Sequence, residues 1–338
     1  MLNRRNFIRY SVATTGVTSL SSCAAPRHTI TIDDRLPVGP FNADSTAEDV
    51  TNGIDLTGKV ALVTGCTSGI GFETMRVLAL RGAHVIGTGR TLEKAQSACA
   101  KIKGTTTAVA LELSDLHSVV ACANSVKDLN EPIDMLILNA GVGSYTKFGL
   151  INGIESIFHI NYLGHFVLAN HLLPLVESAE QGRIVHVGSR MGYMSVPDVG
   201  IDFDNLKGEK DYDSELAYGR SKLANALFSL ELSKQLKSTR TTSNVIHPGF
   251  VKTNIARSAP AFMRIAFDMF GSVIAKTPAQ GAATQSYVAT SALLSTVSGA
   301  YFEDCNPVKI EGENYVFDEA MARKLWLLSE EMSEGFLI

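Results

Sequence analysis

The hydrophobic pattern of this chain alternates between a strand-like and a helix-like period from Lys59 onward. Short apolar runs suit strands of a parallel sheet, because such strands are covered on both faces. Helical spacing separates these runs along the chain. This alternation predicts an α/β fold, a doubly wound parallel sheet with helices on both faces, in a single domain. The predicted strands are Val60–Val63, His84–Ile86, Val109–Leu113, Met135–Leu138, Arg183–Val187 and Val245–Ile246.

Composition and charge narrow the function classes. The 338 residues are 45% hydrophobic and 19% charged, which is ordinary for a globular protein with a well-buried core. A formal net charge of -4 supplies no basic footprint, so no nucleic-acid partner is expected. The five cysteines include no C-x-x-C pair, and the eight histidines form no H-E-x-x-H pattern, so no metal is expected.

A glycine-rich loop stands directly after the first predicted strand and opens a helix. It reads Thr64-Gly65-Cys66-Thr67-Ser68-Gly69-Ile70-Gly71. Glycines let the backbone turn sharply and approach a pyrophosphate at the helix N-terminus, where amide groups favour negative charge. Because the strand and the helix are both in the required places, the loop predicts a dinucleotide site. The predicted contacts are Gly65, Thr67, Ser68, Gly69, Ile70 and Gly71.

The end of the second predicted strand bears on the choice of dinucleotide. An NAD enzyme would place Asp or Glu there, against the adenosine ribose, whereas this chain reads Gly87-Thr88-Gly89-Arg90. Arg90 can pair with a 2′-phosphate, which favours NADP and leaves NAD open. The alternative interpretation is a solvated loop arginine that contacts no cofactor.

Tyr218 and Lys222 lie one helical turn apart in the predicted helix Leu216–Leu236. A free phenol titrates near about 10, and a nearby ammonium lowers that pKa, which would let Tyr218 exchange a proton with an alcohol or carbonyl. Taken alone, the pair is equally a helix-surface pair. Asn139 and Ser189 make it more specific, because both follow predicted strands at the carboxyl ends where open parallel sheets bind ligands.

From about Asp55 to its end, the chain resembles the short-chain dehydrogenase/reductase superfamily, which has a Rossmann-type sheet. Within it, the chain resembles the retinol dehydrogenase-like and WW-domain oxidoreductase-like group. The segments that carry the subgroup resemblance are Gly53–Lys59, Asn161–Phe166, Ile201–Leu206, Ser221–Asn225 and Tyr301–Cys305. The resemblance implies hydride transfer between a nicotinamide cofactor and an alcohol or carbonyl.

The resemblance also implies residue roles. Tyr218 would be the acid/base, Lys222 would bind the nicotinamide ribose, Ser189 would hold the substrate oxygen, and Asn161 would hold a relay water. Gly188, where the family usually has serine, is a departure. Glu112-Leu113, in place of the Asp-Leu that contacts adenine in the family, is another. Further implied cofactor contacts are Asn139, Ala140, Gly141, Pro248, Gly249, Val251 and Thr253.

Residues 255–275 would form a flap over the substrate in this family. Their mostly apolar side chains favour a small apolar alcohol, aldehyde or ketone, although ordinary core packing is an equal interpretation. A homodimer is a further expected partner. Two alternative functions remain: a sensor or scaffold that binds NADP without turnover, and a light-dependent reductase of similar fold.

The N-terminal region differs in composition. Residues 1–23 are predicted to be a signal peptide, because Arg4-Arg5 resemble a twin-arginine signal and Leu20-Ser21-Ser22-Cys23 resembles a lipobox. This predicts an exported protein, periplasmic or bound to a membrane surface through a lipidated Cys23. The alternatives are a cytoplasmic enzyme with a disordered basic tail and an N-terminal anchor.

The remaining chain divides into two parts. Residues 24–55 are predicted to be a linker, because prolines and a glycine interrupt regular structure. The capping-box pattern Ser45-Thr46-Ala47-Glu48 indicates a short helix over residues 46–52. Residues 56–338 are predicted to be the Rossmann-type dehydrogenase/reductase domain.

Overall fold

The computed structural model describes residues 28–144, 147–251 and 275–337. Its strands are β1 Thr29–Ile32, β2 Val60–Val63, β3 His84–Gly89, β4 Thr106–Ala110, β5 Met135–Leu138, β6 Leu150–Ile151, β7 Ile154–Glu155, β8 Arg183–Val187, β9 Thr242–His247, β10 Tyr301–Glu303 and β11 Asn306–Glu311. Its helices are α1 Ala47–Val50, α2 Gly69–Leu80, α3 Leu92–Cys99, α4 Leu116–Lys127, α5 Ser156–Phe158, α6 Gly164–Glu177, α7 Met191–Met194, α8 Ser214–Gln235, α9 Pro278–Gly281, α10 Ala283–Thr290 and α11 Glu319–Met332.

The central sheet has the strand order β1-β11-β10-β9-β8-β5-β2-β3-β4. The strands from β4 to β10 in this order pair in parallel, and β11 and β1 add antiparallel pairs at one edge. The chain winds outward from β2 to β4 and then returns to β5 on the other side. The predicted doubly wound parallel sheet is therefore confirmed, and its switch point lies between the carboxyl ends of β2 and β5.

Side chains of each central strand pack on both faces of the sheet. Leu62 and Leu136 belong to a core with residues of α4, α6, α8 and α11. Ala61 and Ile137 belong to a second core with residues of α1, α2 and α10. This two-sided burial explains why the strands read as continuous apolar runs. Among the described residues, no helix combines the length and the apolar character that a membrane span needs.

The structure shifts one predicted strand and adds others. β4 covers Thr106–Ala110 instead of Val109–Leu113, because the chain turns away after Leu111, whose N–H still bonds the carbonyl of Gly89. The Ser118 hydroxyl then accepts from the backbone N–H of Glu112, which ends the pairing. The strands β1, β10 and β11 were not predicted, because an edge hairpin depends on partners distant in sequence.

The described part of the predicted linker belongs to the folded domain. β1 pairs with β11 in the register Thr29 to Glu311, so this segment extends the sheet. The expected short helix is α1, and its capping box joins Thr46 to Asp49 rather than Ser45 to Glu48. Assigning this part to a linker was wrong, because pairing across the edge of the sheet supplies its hydrogen bonds. Residues 1–27, and with them Cys23 and the predicted signal peptide, lie outside the described residues.

Candidate active site

The glycine loop lies where β2 ends beside β5. Gly65 adopts a φ of +74°, which favours glycine, and the Thr64 N–H donates to the Ile137 carbonyl across 3.0 Å. A Cβ on Gly71 would collide with the carbonyl oxygen of Gly65 and with the Asn139 amide. The loop is therefore closed against the end of β5, and a larger residue at position 71 has no room.

The N-terminus of α2 lacks the side-chain cap that several other helices of this protein have. In α3, α4, α8 and α11, a side chain accepts a hydrogen bond from a first-turn N–H; the caps are Thr91, Asp115, Asp213 and Asp318. Ser68 makes no such bond, and no acidic residue stands in the first turn of α2. Since Thr67 and Ser68 are exposed, these N–H groups are available to an anion. This arrangement fits a dinucleotide pyrophosphate.

Arg90 follows β3 near the same loop. A Cβ on the preceding Gly89 would lie 2.8 Å from the Thr67 methyl group, which places the end of β3 against the loop. The Arg90 side chain is half-exposed, and its Nε lies 3.9 Å from Oε2 of Glu112. The sequence pattern found no acid at the end of β3, whereas the fold brings one from the end of β4.

Tyr218, Ser189 and Lys222 come together beyond the end of β8. The Ser189 hydroxyl lies close enough to the Tyr218 phenol to lower the pKa of that phenol. The Lys222 Nζ lies 5.7 Å from the centre of the Tyr218 ring and donates to the Val187 carbonyl across 2.9 Å. The predicted one-turn spacing on α8 is thereby realised at the carboxyl edge of the sheet.

The predicted lowering of the Tyr218 pKa by Lys222 is wrong for the described structure. Burial raises the Tyr218 pKa to about 12, and the neighbouring Ser189 hydroxyl offsets only part of that rise. Burial also lowers the Lys222 pKa to about 8. Desolvation is the largest cause of both shifts; Lys222 is buried, and Tyr218 is part-buried.

Asn161 lies in a π-helical turn, His159–Leu163, which leads into α6. Its side chain exchanges two hydrogen bonds with the backbone of Val142, at 2.8 and 3.1 Å, and donates to the Ser221 hydroxyl across 3.0 Å. Ser221 in turn donates to the Tyr218 carbonyl across 2.7 Å. A π-turn inside a helix is frequent at functional sites, since it redirects backbone groups.

Gly141 lies between Asn161 and Lys222. A Cβ at this position would lie 3.0 Å from the Asn161 Oδ1 and 3.8 Å from the Lys222 Nζ. Thr64 holds the start of this segment, because its hydroxyl accepts from the N–H groups of Asn139 and Ala140. The structure therefore brings the predicted residues at the end of β5 into the same crevice as the α8 pair.

The segment after β9 closes one side of the glycine loop. Gly249 adopts a φ of +87°, and Val251 is buried and forms a bridge with Lys276. A Cβ on Gly281 would lie 2.7 Å from Val251 and 3.3 Å from Ile70, so these two side chains approach the same point. Pro248 is part-buried at the start of this segment. Thr253, and residues 255–274 of the predicted flap, lie outside the described residues.

The departure at Gly188 has a steric reason. A Cβ there would lie 2.8 Å from a Val245 methyl group and 3.2 Å from the Ile246 carbonyl, so β9 approaches too closely for serine.

Cys66 is buried, and burial raises the pKa of its thiol, which agrees with a packing role. Among the described residues, no group of three or more His, Cys, Asp or Glu side chains is placed to hold a metal ion.

Several polar residues around this crevice were not predicted from the sequence. His165 contacts both Thr64 and Asn161, and it belongs to the Asn161–Phe166 segment already noted for its resemblance. Glu303 pairs with Arg190 across 2.8 Å and accepts from the Tyr193 hydroxyl across 2.7 Å. These contacts join elements that are far apart in the chain. From the sequence alone, the residues that make them could be noticed only as polar residues without an assigned role.

Comparison with known proteins identifies relatives over most of the chain. A family model described as short chain dehydrogenase matches residues 59–201. Short-chain dehydrogenase TIC 32 A, chloroplastic, from Brassica napus is 39% identical over 308 residues, covering 87% of this chain and 95% of that protein. Retinol dehydrogenase 14 from Homo sapiens is 36% identical over 295 residues, covering 81% and 86%. WW domain-containing oxidoreductase from Homo sapiens is 37% identical over 322 residues, covering 91% and 77%.

Solved structures are also similar to this chain over most of its length. A protein from Mycobacterium Paratuberculosis has a TM-score of 0.67 at 29% identity, and the match covers 84% of this chain and 97% of that one. The Pseudomonas aeruginosa RhlG/NADP active-site complex has a TM-score of 0.58 at 26% identity, with 74% and 95% covered.

The predicted export as a twin-arginine lipoprotein is wrong. The Brassica napus relative, which matches 87% of this chain, is named a chloroplastic protein, and the relatives described above carry no name of an exported lipoprotein. The paired arginines and the lipobox-like residues are short patterns that often match by chance, which is why the comparison over most of the chain outweighs them.

Proposed function

Because the chain belongs to the short-chain dehydrogenase family, we propose that it interconverts an apolar alcohol and its carbonyl compound with NADP as the preferred cofactor. As a member of that family it is an oxidoreductase. The substrate class, the preference for NADP over NAD and the residue roles below are our proposals. The observation that carries them is the position of the Lys222 ammonium, which lies 5.7 Å from the Tyr218 ring and donates to the Val187 carbonyl two residues before Ser189.

In the proposed reduction, Tyr218 acts as the general acid. With a pKa of about 12, the phenol is protonated at neutral pH, and it would give that proton to the carbonyl oxygen as negative charge develops there. Ser189 would hold that oxygen by donating a second hydrogen bond. A reduced nicotinamide, when bound, supplies the hydride to the carbonyl carbon. Tyr218 then regains a proton from solvent through Lys222 and a water held by Asn161, and the reverse sequence oxidises an alcohol.

The uncapped N-terminus of α2 supports pyrophosphate binding by this chain's own backbone. Arg90 would pair with the 2′-phosphate of NADP, and the likeness to a structure titled as an NADP complex at 26% identity agrees with that choice. The remaining proposed contacts are Gly65, Thr67, Ser68, Gly69, Ile70, Gly71, Asn139, Ala140, Gly141, Pro248, Gly249, Val251 and Thr253.

Apolar side chains near the crevice support an apolar substrate. Leu216 precedes Tyr218 by two residues, and Met194 and Phe250 lie in the segments that follow β8 and β9. All three are exposed, at 39%, 58% and 56%. Exposed apolar side chains in neighbouring segments indicate a surface that receives an apolar molecule. The name of the human relative, a retinol dehydrogenase, agrees with this class.

The test is turnover of a panel of apolar alcohols, aldehydes and ketones with NADP(H) and NAD(H). We expect activity in the wild type and a fall in kcat of about 10²- to 10⁴-fold in Tyr218→Phe. Binding of the nucleotide, followed by its fluorescence, should persist in that variant. Tyr315→Phe serves as the control, because it removes a tyrosine hydroxyl that donates to the Asp198 carbonyl. Nucleotide binding without turnover in the wild type would instead favour a sensor or scaffold.

A further inference from the structure

His165 is a fully buried histidine that bridges the glycine loop and the π-turn. Its Nε2 lies 3.0 Å from the Thr64 hydroxyl, and its Nδ1 lies 3.1 Å from the backbone carbonyl of Asn161. Thr64 stands at the end of β2, and the π-turn leads into α6. One imidazole therefore connects the two segments on either side of the Asn139–Gly141 strand end.

The direction of these hydrogen bonds follows from the groups around Thr64. Its hydroxyl oxygen accepts from the N–H of Asn139 across 2.8 Å and from the N–H of Ala140 across 2.9 Å. A hydroxyl has two acceptor positions and one proton, so the proton remains for an outgoing bond. The His165 Nε2 at 3.0 Å is a closer acceptor than the Ile137 carbonyl at 3.5 Å. The hydroxyl therefore donates to the imidazole.

This assignment determines the state of the ring. If Nε2 accepts, a neutral imidazole carries its proton on Nδ1, which then donates to the Asn161 carbonyl. Protonation of both nitrogens is disfavoured, because burial and the charge of Lys222 lower the His165 pKa to about 4.

We propose that Thr64 and His165 are positioning residues, forming a directed hydrogen-bond chain from the end of β5 through the imidazole to the Asn161 carbonyl. The chain holds that carbonyl, and with it the π-turn that carries the Asn161 side chain, in one orientation. Its catalytic meaning rests on the proposed function, whereas the bond directions stand on geometry alone. It assigns a role to the histidine of the Asn161–Phe166 segment.

The first test reads the tautomer in the wild-type protein. Protein labelled with ¹⁵N-histidine is examined by long-range ¹H–¹⁵N correlation, with the His165 signals assigned by triple resonance and checked by their loss in His165→Asn. We expect the Nδ1–H tautomer, unchanged across the neutral pH range. An Nε2–H tautomer, or a ring that titrates near neutrality, overturns the proposal. This measurement needs no turnover, so it stays decisive if the proposed function fails.

The second test uses kinetics. His165→Asn keeps an N–H donor near the position of Nδ1, whereas His165→Leu keeps none. We expect kcat to fall about tenfold in His165→Leu, with KM for NADP little changed, and the Asn variant to recover most of the loss. His186→Leu is the control for a lost buried histidine, since His186 bonds only Ser243 among the described side chains. Equal losses in the Leu and Asn variants, or a similar loss in the control, contradict the positioning role.

Discussion

The Lys222 Nζ donates a hydrogen bond to the backbone carbonyl of Val187 across 2.9 Å. Val187 is the last residue of β8 and precedes Ser189 by two residues, so this bond fixes the ammonium at the end of the strand that leads to Ser189. Asn225 donates to the same carbonyl across 3.4 Å. Among the described residues, Lys222 has no salt bridge, and its side chain is buried. Burying an unpaired charge costs stability, and burial lowers its pKa to about 8. The site therefore trades stability for a charge that the proposed chemistry uses.

Replacing the charge should stabilise the protein. At pH below about 8 the ammonium is charged in both the folded and unfolded states, and the folded state bears the full desolvation cost. We expect Lys222→Met to raise the free energy of unfolding at neutral pH by on the order of 1–3 kcal/mol. The difference should shrink as the pH rises from about 8 toward the ordinary lysine value of 10.5. Denaturant unfolding at several pH values measures it, and a variant less stable than wild type at neutral pH would refute the argument.

The two directions of the reaction should respond oppositely to pH. Reduction uses the protonated phenol and the charged lysine, so its kcat should fall as the pH rises through about 8, the Lys222 pKa. Oxidation needs the phenol deprotonated, and its rate should keep rising with pH toward the Tyr218 pKa of about 12. Steady-state rates in both directions across pH check this. Parallel slopes for the two directions would show that another group controls proton transfer.

Arg90 should favour NADP over NAD, and the neighbouring carboxylate of Glu112 should reduce that preference. Its Nε lies 3.9 Å from Glu112, and the arginine is half-exposed, so this pair is weak and can be displaced by a phosphate. We expect Arg90→Ala to weaken NADP binding by about 1.5–3 kcal/mol and NAD binding far less. Glu112→Gln should shift the preference toward NADP. Titration of each cofactor by fluorescence measures both, and an equal loss for the two cofactors would remove Arg90 from this role.

A capping residue at the start of α2 should raise the stability of the protein and lower its affinity for the nucleotide. Ser68→Asp should cap the first-turn N–H groups and complement the helix dipole, raising the free energy of unfolding by about 0.5–2 kcal/mol. The same carboxylate would occupy the anion site, so nucleotide affinity should fall at least about tenfold. Ser68→Ala, with neither effect, is the control. Unchanged affinity in Ser68→Asp would mean that the pyrophosphate binds elsewhere.

Local patterns in the sequence were sufficient for much of the fold and for the choice of site residues. The apolar runs predicted β2, β5 and β8. Strands that are buried on both faces are continuously apolar, so they can be recognised without knowing which strands lie beside them. The glycines of the loop and the one-turn spacing of Tyr218 and Lys222 are likewise local. The order of strands and helices then placed their ends at one edge of a parallel sheet.

The tertiary structure decided what depends on distant partners. It set the raised pKa of Tyr218, because the segments that surround the phenol reduce its contact with water. It placed Glu112 beside Arg90, joined the N-terminal β1 to β11, and connected Thr64 to Asn161 through His165. None of these follows from residues near in sequence, since each contact arises only where separate strand and helix ends meet in space.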